Sequence, residues 1–256
     1  MKNEQYIKDF LDEKYRLYAA PRFIDTDPIQ VPHCYHKKED VEIAAFLTAI
    51  LSWGQRTQII KSAKSLLSQM GESPYEFVID SNLSDIKALS NFYYRTFNGI
   101  DCMAIITSLK NIYINHNGLE EVFTAGYNQS LSVKGAIGGF RQVFLVDTFP
   151  ERSKKHIPNV DVGSAAKRLN MFLRWMIRTS KEGVDFGLWG GIPQSALMLP
   201  LDVHTARVSK SLGLLARKQN DWRAVEEVTQ NLSIFDPNDP VKYDYALFGL
   251  GVFEKF

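Results

Sequence analysis

Two side chains in the C-terminal half are of types that can attack or polarise a bond: an aspartate at the entrance to one helical pattern and a lysine near the start of another. Asp202 directly precedes the helix expected over 203–214, in the stretch LPLDVHTARVSKSLGLL. An aspartate there accepts hydrogen bonds from the amides of the second and third helical residues, and its charge suits the positive end of the helix. That capping duty needs no chemistry, and it is compatible with a carboxylate that also stabilises a cation or takes a proton. Upstream, Ser164 reads as the N-cap of a helix running to about Arg178. Ala165, Leu169, Phe172 and Met176 share one face of it, while Lys167, Arg174 and Arg178 fall together on the opposite face. Such a stripe displaces condensed counterions from a nucleic-acid backbone, although a solvated cationic face has the same pattern. A lysine becomes a nucleophile near neutral pH when burial or neighbouring cations lower its pKa, and Arg168 and Arg174 are the neighbours on offer.

The charge distribution points the same way. The chain of 256 residues has a net charge of only +1, yet 152–218 holds twelve Lys/Arg against four acids, Asp161, Glu182, Asp185 and Asp202. The remainder holds eighteen Lys/Arg against twenty-five acids. This asymmetry suggests a face for a polyanion, or a basic segment balanced by acidic neighbours. Lys154 and Lys155 sit in the proline-containing basic loop 148–163.

Other patterns exclude other chemistry. Cys34 and Cys102 lie far apart with no metal-ligand spacing, which argues for a reducing compartment and against a disulfide scaffold. His33, Cys34 and His36 have loose metal-ligand character, but a proline-rich loop without a further cysteine is a poor zinc site, so no metal is expected. GLWGG at 187–191 lacks a preceding strand and a following P-loop lysine, and no cofactor is expected either. The N-terminal stretch is amphipathic and carries acids as well as bases, unlike a signal or transit peptide, and no apolar run reaches membrane-spanning length. The expectation is a soluble, cytoplasmic monomer that does not engage membranes.

The elements that must position these residues are helices. A helical period runs through 4–18, and 21–38, with three prolines, reads as an extended loop. Residues 41–53 are apolar almost all round, as in a buried central helix. Further helices are expected over 56–70, 74–79, 84–95 and 100–115, with a weaker one over 129–147 interrupted by Gly138 and Gly139. Residues 183–201, with four glycines and two prolines, form an irregular excursion. Helices over 221–232, opened by Asp221, and over 240–253 complete an all-α pattern, with a turn at 236–240 between them.

The 199–215 segment closely resembles the V-D-x-H-x-x-R-V segment of endonuclease III-like DNA glycosylases, of the helix-hairpin-helix superfamily, where the aspartate both caps a helix and faces a flipped nucleotide. FLTAILSWGQRT, 46–57, is similar to that family's L-L-S-x-Q-T helix end, and Gln55 matches the glutamine that fills the gap in the DNA stack, although Trp53-Gly54 departs from the usual spacing. Residues 92–123, with Tyr93-Tyr94-Arg95, resemble its F-Y-R-x-K-A helix. The family's hairpin L-P-G-V-G-x-K-T-A is not present; IPNVDVGSAAK, 157–167, stands in its place. With Lys167 thirty-five residues before Asp202, the spacing is more similar to the archaeal 8-oxoguanine glycosylase branch. KRLNMFLRWMIR, PLDVHTARV and KYDYALFGLG also resemble a bacterial family without an assigned activity.

The resemblance implies a two-lobed helical fold with a central cleft and an altered hairpin motif. One lobe would comprise 1–40 and 203–256, the other 41–202. It implies base-excision repair: cleavage of the N-glycosidic bond of a damaged base in double-stranded DNA, with AP-lyase activity if Lys167 forms a Schiff base. Asp202 and Lys167 would be the catalytic pair. Gln55, Lys154, Lys155, Arg168, Arg174, Arg178, His204, Arg207 and Trp189 would contact DNA or the base, with Trp175 and Phe186 as further aromatics for the base, although an aromatic of this kind more often belongs to the core. The alternative in the same fold is a non-catalytic nucleic-acid-binding protein in which Asp202 is only a cap; a helical interaction protein without nucleic acid is the third.

Overall fold

A computed structural model of the chain describes residues 2–179 and 181–256. Helices dominate it: α1 (Lys2–Tyr18), α2 (Lys38–Leu51), α3 (Arg56–Ser68), α4 (Pro74–Asp80) and α5 (Leu83–Ala88) precede a two-stranded hairpin, β1 (Tyr93–Tyr94) and β2 (Phe97–Asn98). There follow α6 (Gly99–Asn115), α7 (Leu119–Ser130), α8 (Val133–Phe144), α9 (Lys167–Ile177), α10 (Val203–Ser211), α11 (Trp222–Phe235) and α12 (Tyr243–Val252). The fold is all-α, and no helix among the described residues is long and apolar enough to cross a membrane.

The chain divides into two compact units, Met1–Asp25 with Val160–Phe256, and Thr26–Asn159. These boundaries differ from those expected at residues 40 and 202. The prolines at 28 and 32 do not hold an extended loop. They open short 3-10 turns, Pro28–Gln30 and Pro32–Cys34, that pack on α2. Proline suits a first turn because its missing N–H has no acceptor there.

In the unit Thr26–Asn159, α2 is buried from Asp40 to Leu51, as its all-round apolar pattern requires. The helix expected over 84–95 stops at Ala88, and a 3-10 turn, Leu89–Asn91, leads into the hairpin. Tyr93 pairs with Asn98 and Tyr94 with Phe97. Exposure alternates, Tyr93 at 72 % and Tyr94 at 7 %, which is the period of a strand and not of a helix. Asn98 then caps α6 reciprocally with Asp101, each side chain accepting from the other's backbone amide.

The weak helix of 129–147 is in fact the end of α7 and all of α8, which pack tightly on each other. Gly138 and Gly139 do not interrupt α8. A Cβ on Gly139 would lie 3.0 Å from Gly126 Cα, and one on Gly126 would lie 2.9 Å from the Gly135 carbonyl oxygen, so glycine is what allows the two backbones to approach. Phe123 stacks on Phe140 with ring centroids 4.3 Å apart.

In the other unit α12 packs against α1 and α10, around a core that includes Leu11, Leu199, Val208, Val228, Leu247 and Leu250. The N-cap expected at Ser164 is not there. Ser164 forms an isolated bridge with Asp221, and α9 starts at Lys167 after Ala166 takes a left-handed conformation, φ 47°. Gly163, at φ 91°, closes a turn by donating to the Val160 carbonyl at 3.1 Å. Its own carbonyl accepts from Trp222 N at 3.0 Å, tying the entrance of α9 to the start of α11.

Candidate functional site

Asp202 caps α10. Its Oδ1 accepts from the amides of His204 at 2.8 Å and Thr205 at 3.0 Å, while Thr205 Oγ1 accepts from the Asp202 amide at 2.8 Å. The side chain is half-buried, and every bond that its carboxylate accepts falls on Oδ1, so the cap leaves Oδ2 uncommitted among the described residues. The exposed first helical residue, Val203, and the half-buried His204 follow it.

Lys167 is the first residue of α9 and half-buried. It and Asp202 both act electrostatically on the carboxyl of Asp244, near the start of α12, which sequence reasoning did not single out. Burial raises the Asp244 pKa to about 7; Arg174 opposes that rise, the negative charge of Asp202 adds to it, and the positive charge of Lys167 opposes it. Asp244 and Gly251 are seven residues apart on α12, and a Cβ on Gly251 would lie 3.0 Å from His204 Cβ. That close crossing brings the first turn of α10 onto α12.

The cationic stripe of α9 is not a surface. Arg174 and Arg178 are 4 % and 1 % exposed, and residues Leu169–Arg178 are buried without a break. Arg174 donates from Nε to Asp185 Oδ1 at 3.2 Å and from Nη1 to Asp244. Arg178 donates to Asp185 Oδ2 at 2.9 Å, to both oxygens of Asp239, and to Tyr15 Oη at 2.7 Å. Burial pushes the Arg178 pKa down, but the Asp239 hydrogen bond and the charge of Asp185 carry it above its usual value. Both guanidinium groups also lie over the Tyr245 ring, at 4.4 and 5.6 Å from its centroid. The positive excess of 152–218 is therefore partly cancelled within the fold by acids outside it. A buried cation is tolerable only when paired, so the expected DNA contacts at Arg174 and Arg178 are replaced by internal ion pairs.

The remaining expected contacts fall in several places. Burial lowers the Arg168 pKa. Arg207 is exposed and donates to the Gly251 carbonyl at 2.8 Å. Trp189 is buried edge-on against Phe172, at 5.3 Å between ring centroids, and Trp175 is fully buried, so both serve the core and not a base pocket. Phe186 is half-buried, and its amide donates to the Trp175 carbonyl at 2.8 Å. Gln55, Lys154 and Lys155 belong to the other unit: Gln55 is the exposed residue before α3, Lys154 pairs with Glu151, and Lys155 is exposed. A cavity of that unit, lined among others by Asn115, His116, Gln129 and Gln142, contains none of them. No group of three or more His, Cys, Asp or Glu is arranged to hold a metal ion among the described residues. Asp244 carries a signal that could have found it: an acid in an otherwise apolar helical run, KYDYALFGLG, has to meet a buried partner.

Residues 27–253 match a family model described as a protein of unknown function, DUF2400. No curated protein and no solved structure matches the chain.

Proposed function

The chain belongs to the DUF2400 family, and from that starting point we propose that it cleaves the N-glycosidic bond of a damaged or modified base in DNA, with Lys167 and Asp202 as catalytic pair. The observation that supports this reading is that two residues thirty-five positions apart, one amine and one carboxylate, both act on the single buried carboxyl of Asp244.

A base stacked in a duplex is out of reach, so the nucleotide is first rotated out of the stack. As the C1′–N bond lengthens, the electron pair leaves with the base, which takes up a proton, and positive charge builds on the sugar. The Asp202 carboxylate stabilises that charge. In the lyase form of the reaction the Lys167 amine forms the new bond to C1′ and gives its proton to Asp202, which passes it to the ring oxygen as the C1′–O4′ bond breaks, and the opened sugar is left as a Schiff base on Lys167. If water attacks instead, Asp202 takes the proton from water and the reaction ends at an abasic site.

The cap bonds of Asp202 favour a second reading, a non-catalytic nucleic-acid-binding protein of the same fold, because they account for the aspartate without turnover. Borohydride trapping on duplexes carrying a panel of lesions, with an abasic site among them, separates the two. A covalent adduct that disappears in Lys167→Ala supports the lyase form, and base release that disappears in Asp202→Asn supports the hydrolytic form. Binding with neither adduct nor base release across the panel leaves the non-catalytic reading.

A further inference from the structure

The chain turns sharply between α6 and α7. The amides of His116 and Gly118 both donate to the Ile112 carbonyl, at 2.9 and 3.2 Å, and Asn117 between them is left-handed at φ 59°. This turn, α7 and α8 together line a groove that encloses about 350 Å³. Cavities of roughly 300–1,000 Å³ are the usual size for small ligands. Val122, Gly126, Gly139 and Val143 supply the apolar part of the lining. Along α7 the groove extends from Glu121 to Gln129, eight residues and so about 12 Å of helix axis.

The charge of this groove has one sign. Glu121 lines it, and no lysine or arginine does. The C-terminal end of α6, at Asn115 and His116, lines it as well and adds the partial negative charge of a 17-residue helix. Glu120, the neighbour of Glu121, is held in an ion pair by Lys38. The exposed side chain of Glu121 forms no hydrogen bond or ion pair among the described residues, and neither do the side-chain amides of Gln129 and Gln142. Its carboxylate is therefore free for a cation from outside the chain.

We infer that this groove binds a small organic amine, with its ammonium group at Glu121, an apolar body across Val122 and Val143, and a neutral polar group at Gln129 or Gln142. The ammonium donates to the carboxylate and sits at the favourable end of the α6 dipole. A side-chain amide both donates and accepts, so it suits a hydroxyl or an amide of the ligand but balances no charge. A phosphate or carboxylate would meet Glu121 with no cation beside it. The inference is independent of the catalytic reading, because the groove shares no residue with Lys167, Asp202 or Asp244.

The test is a nitrogen–proton NMR titration of the full chain with tyramine and with 5-amino-1-pentanol. Tyrosol, the neutral counterpart of tyramine, and the anion 3-(4-hydroxyphenyl)propionate are titrated in parallel. Both amines are expected to shift the amide resonances of Glu121, Gly126 and Gly139; tyrosol should bind about three- to tenfold more weakly than tyramine, and the anion not at all. Glu121→Gln, which changes one exposed side chain, should weaken both amines by a similar factor. Glu76→Gln is the matched control, an exposed acid at the same third position of α4, and should change nothing. Ala125→Leu, which extends an exposed lining residue into the groove, should weaken tyramine and tyrosol alike. The site is overturned if neither amine moves those resonances at concentrations up to about 10 mM, where ligands this small bind. Tyrosol or the anion binding as tightly as tyramine overturns it too, as does an equal loss in Glu121→Gln and Glu76→Gln.

Discussion

Arg174 donates to Asp244 where both side chains are buried, and the same guanidinium holds Asp185 with its Nε. One cation thus bridges two buried carboxylates on separate segments, joining α9, the irregular excursion after it and α12. Charge reversal at Arg174 cannot test nucleic-acid contact, because it would put a third buried negative charge beside the other two.

Removing that cation should unfold the unit before it alters any surface. Arg174→Met leaves Asp185 and Asp244 buried, with Arg174's compensation gone, and should destabilise by roughly 3–5 kcal/mol. Urea denaturation measures this. A loss below about 1 kcal/mol would mean the arginine is replaceable by packing alone.

The pH dependence of stability should carry the signature of Asp244. Its carboxyl titrates at about 7 in the folded protein, above its ordinary value of 3.8, so the folded state binds a proton more tightly than the unfolded chain. The resulting stabilisation is complete below pH ~4 and is lost as pH rises through ~7, a change on the order of 4 kcal/mol. Asp244→Asn lacks it, so the stability difference between wild type and variant should shrink or change sign between pH 4.5 and 7.5. A difference that stays constant over that range would show that Asp244 remains ionised throughout.

Asp202→Asn should separate capping from chemistry. Asparagine caps about as well as aspartate, whereas Asp202→Ala should cost about 1 kcal/mol. The asparagine variant is expected to melt within a few degrees of wild type and to lose activity on a proven substrate by at least about a hundredfold, the scale of a lost transition-state charge. Activity retained in Asp202→Asn would reduce the carboxylate to a cap.

Lys167 is the first residue of α9, at the positive end of the helix, where a cation is mildly unfavourable. Lys167→Ala should therefore leave the melting temperature unchanged or slightly higher, while abolishing any borohydride adduct. An adduct that persists would assign the nucleophile to another amine.

The close crossing of α7 and α8 should not tolerate a methyl group. Gly126→Ala places a Cβ 2.9 Å from a backbone oxygen that cannot move alone, and a loss of about 1–3 kcal/mol is expected in thermal or urea melts. Gly138→Ala, whose Cβ meets nothing within 4 Å, is the control and should be neutral or slightly stabilising.

What is encoded locally was legible in the chain. The apolar period of 41–53, the capping aspartates at 202 and 221, and the prolines and glycines that bound the helices act over one or two turns, and the helices form where those signals stand. Legibility ended where a residue's partner is distant. A charged side chain at helical spacing looks the same whether it faces water or an acid, and only the fold brings Asp185, Asp239 and Asp244, seven to seventy residues away, onto Arg174 and Arg178. The same holds for glycine, which reads as a helix breaker at 139 until α7 lies against it. It holds for Tyr93 and Arg95, whose hairpin owes its register to the Phe97 and Asn98 pairing and not to any helical tendency of 84–95. Local propensity is a property of a few consecutive residues, whereas the burial of a charge is decided by which elements the chain packs around it, and that is why the stripe on α9 became an ion-pair network and Asp244 came to matter at all.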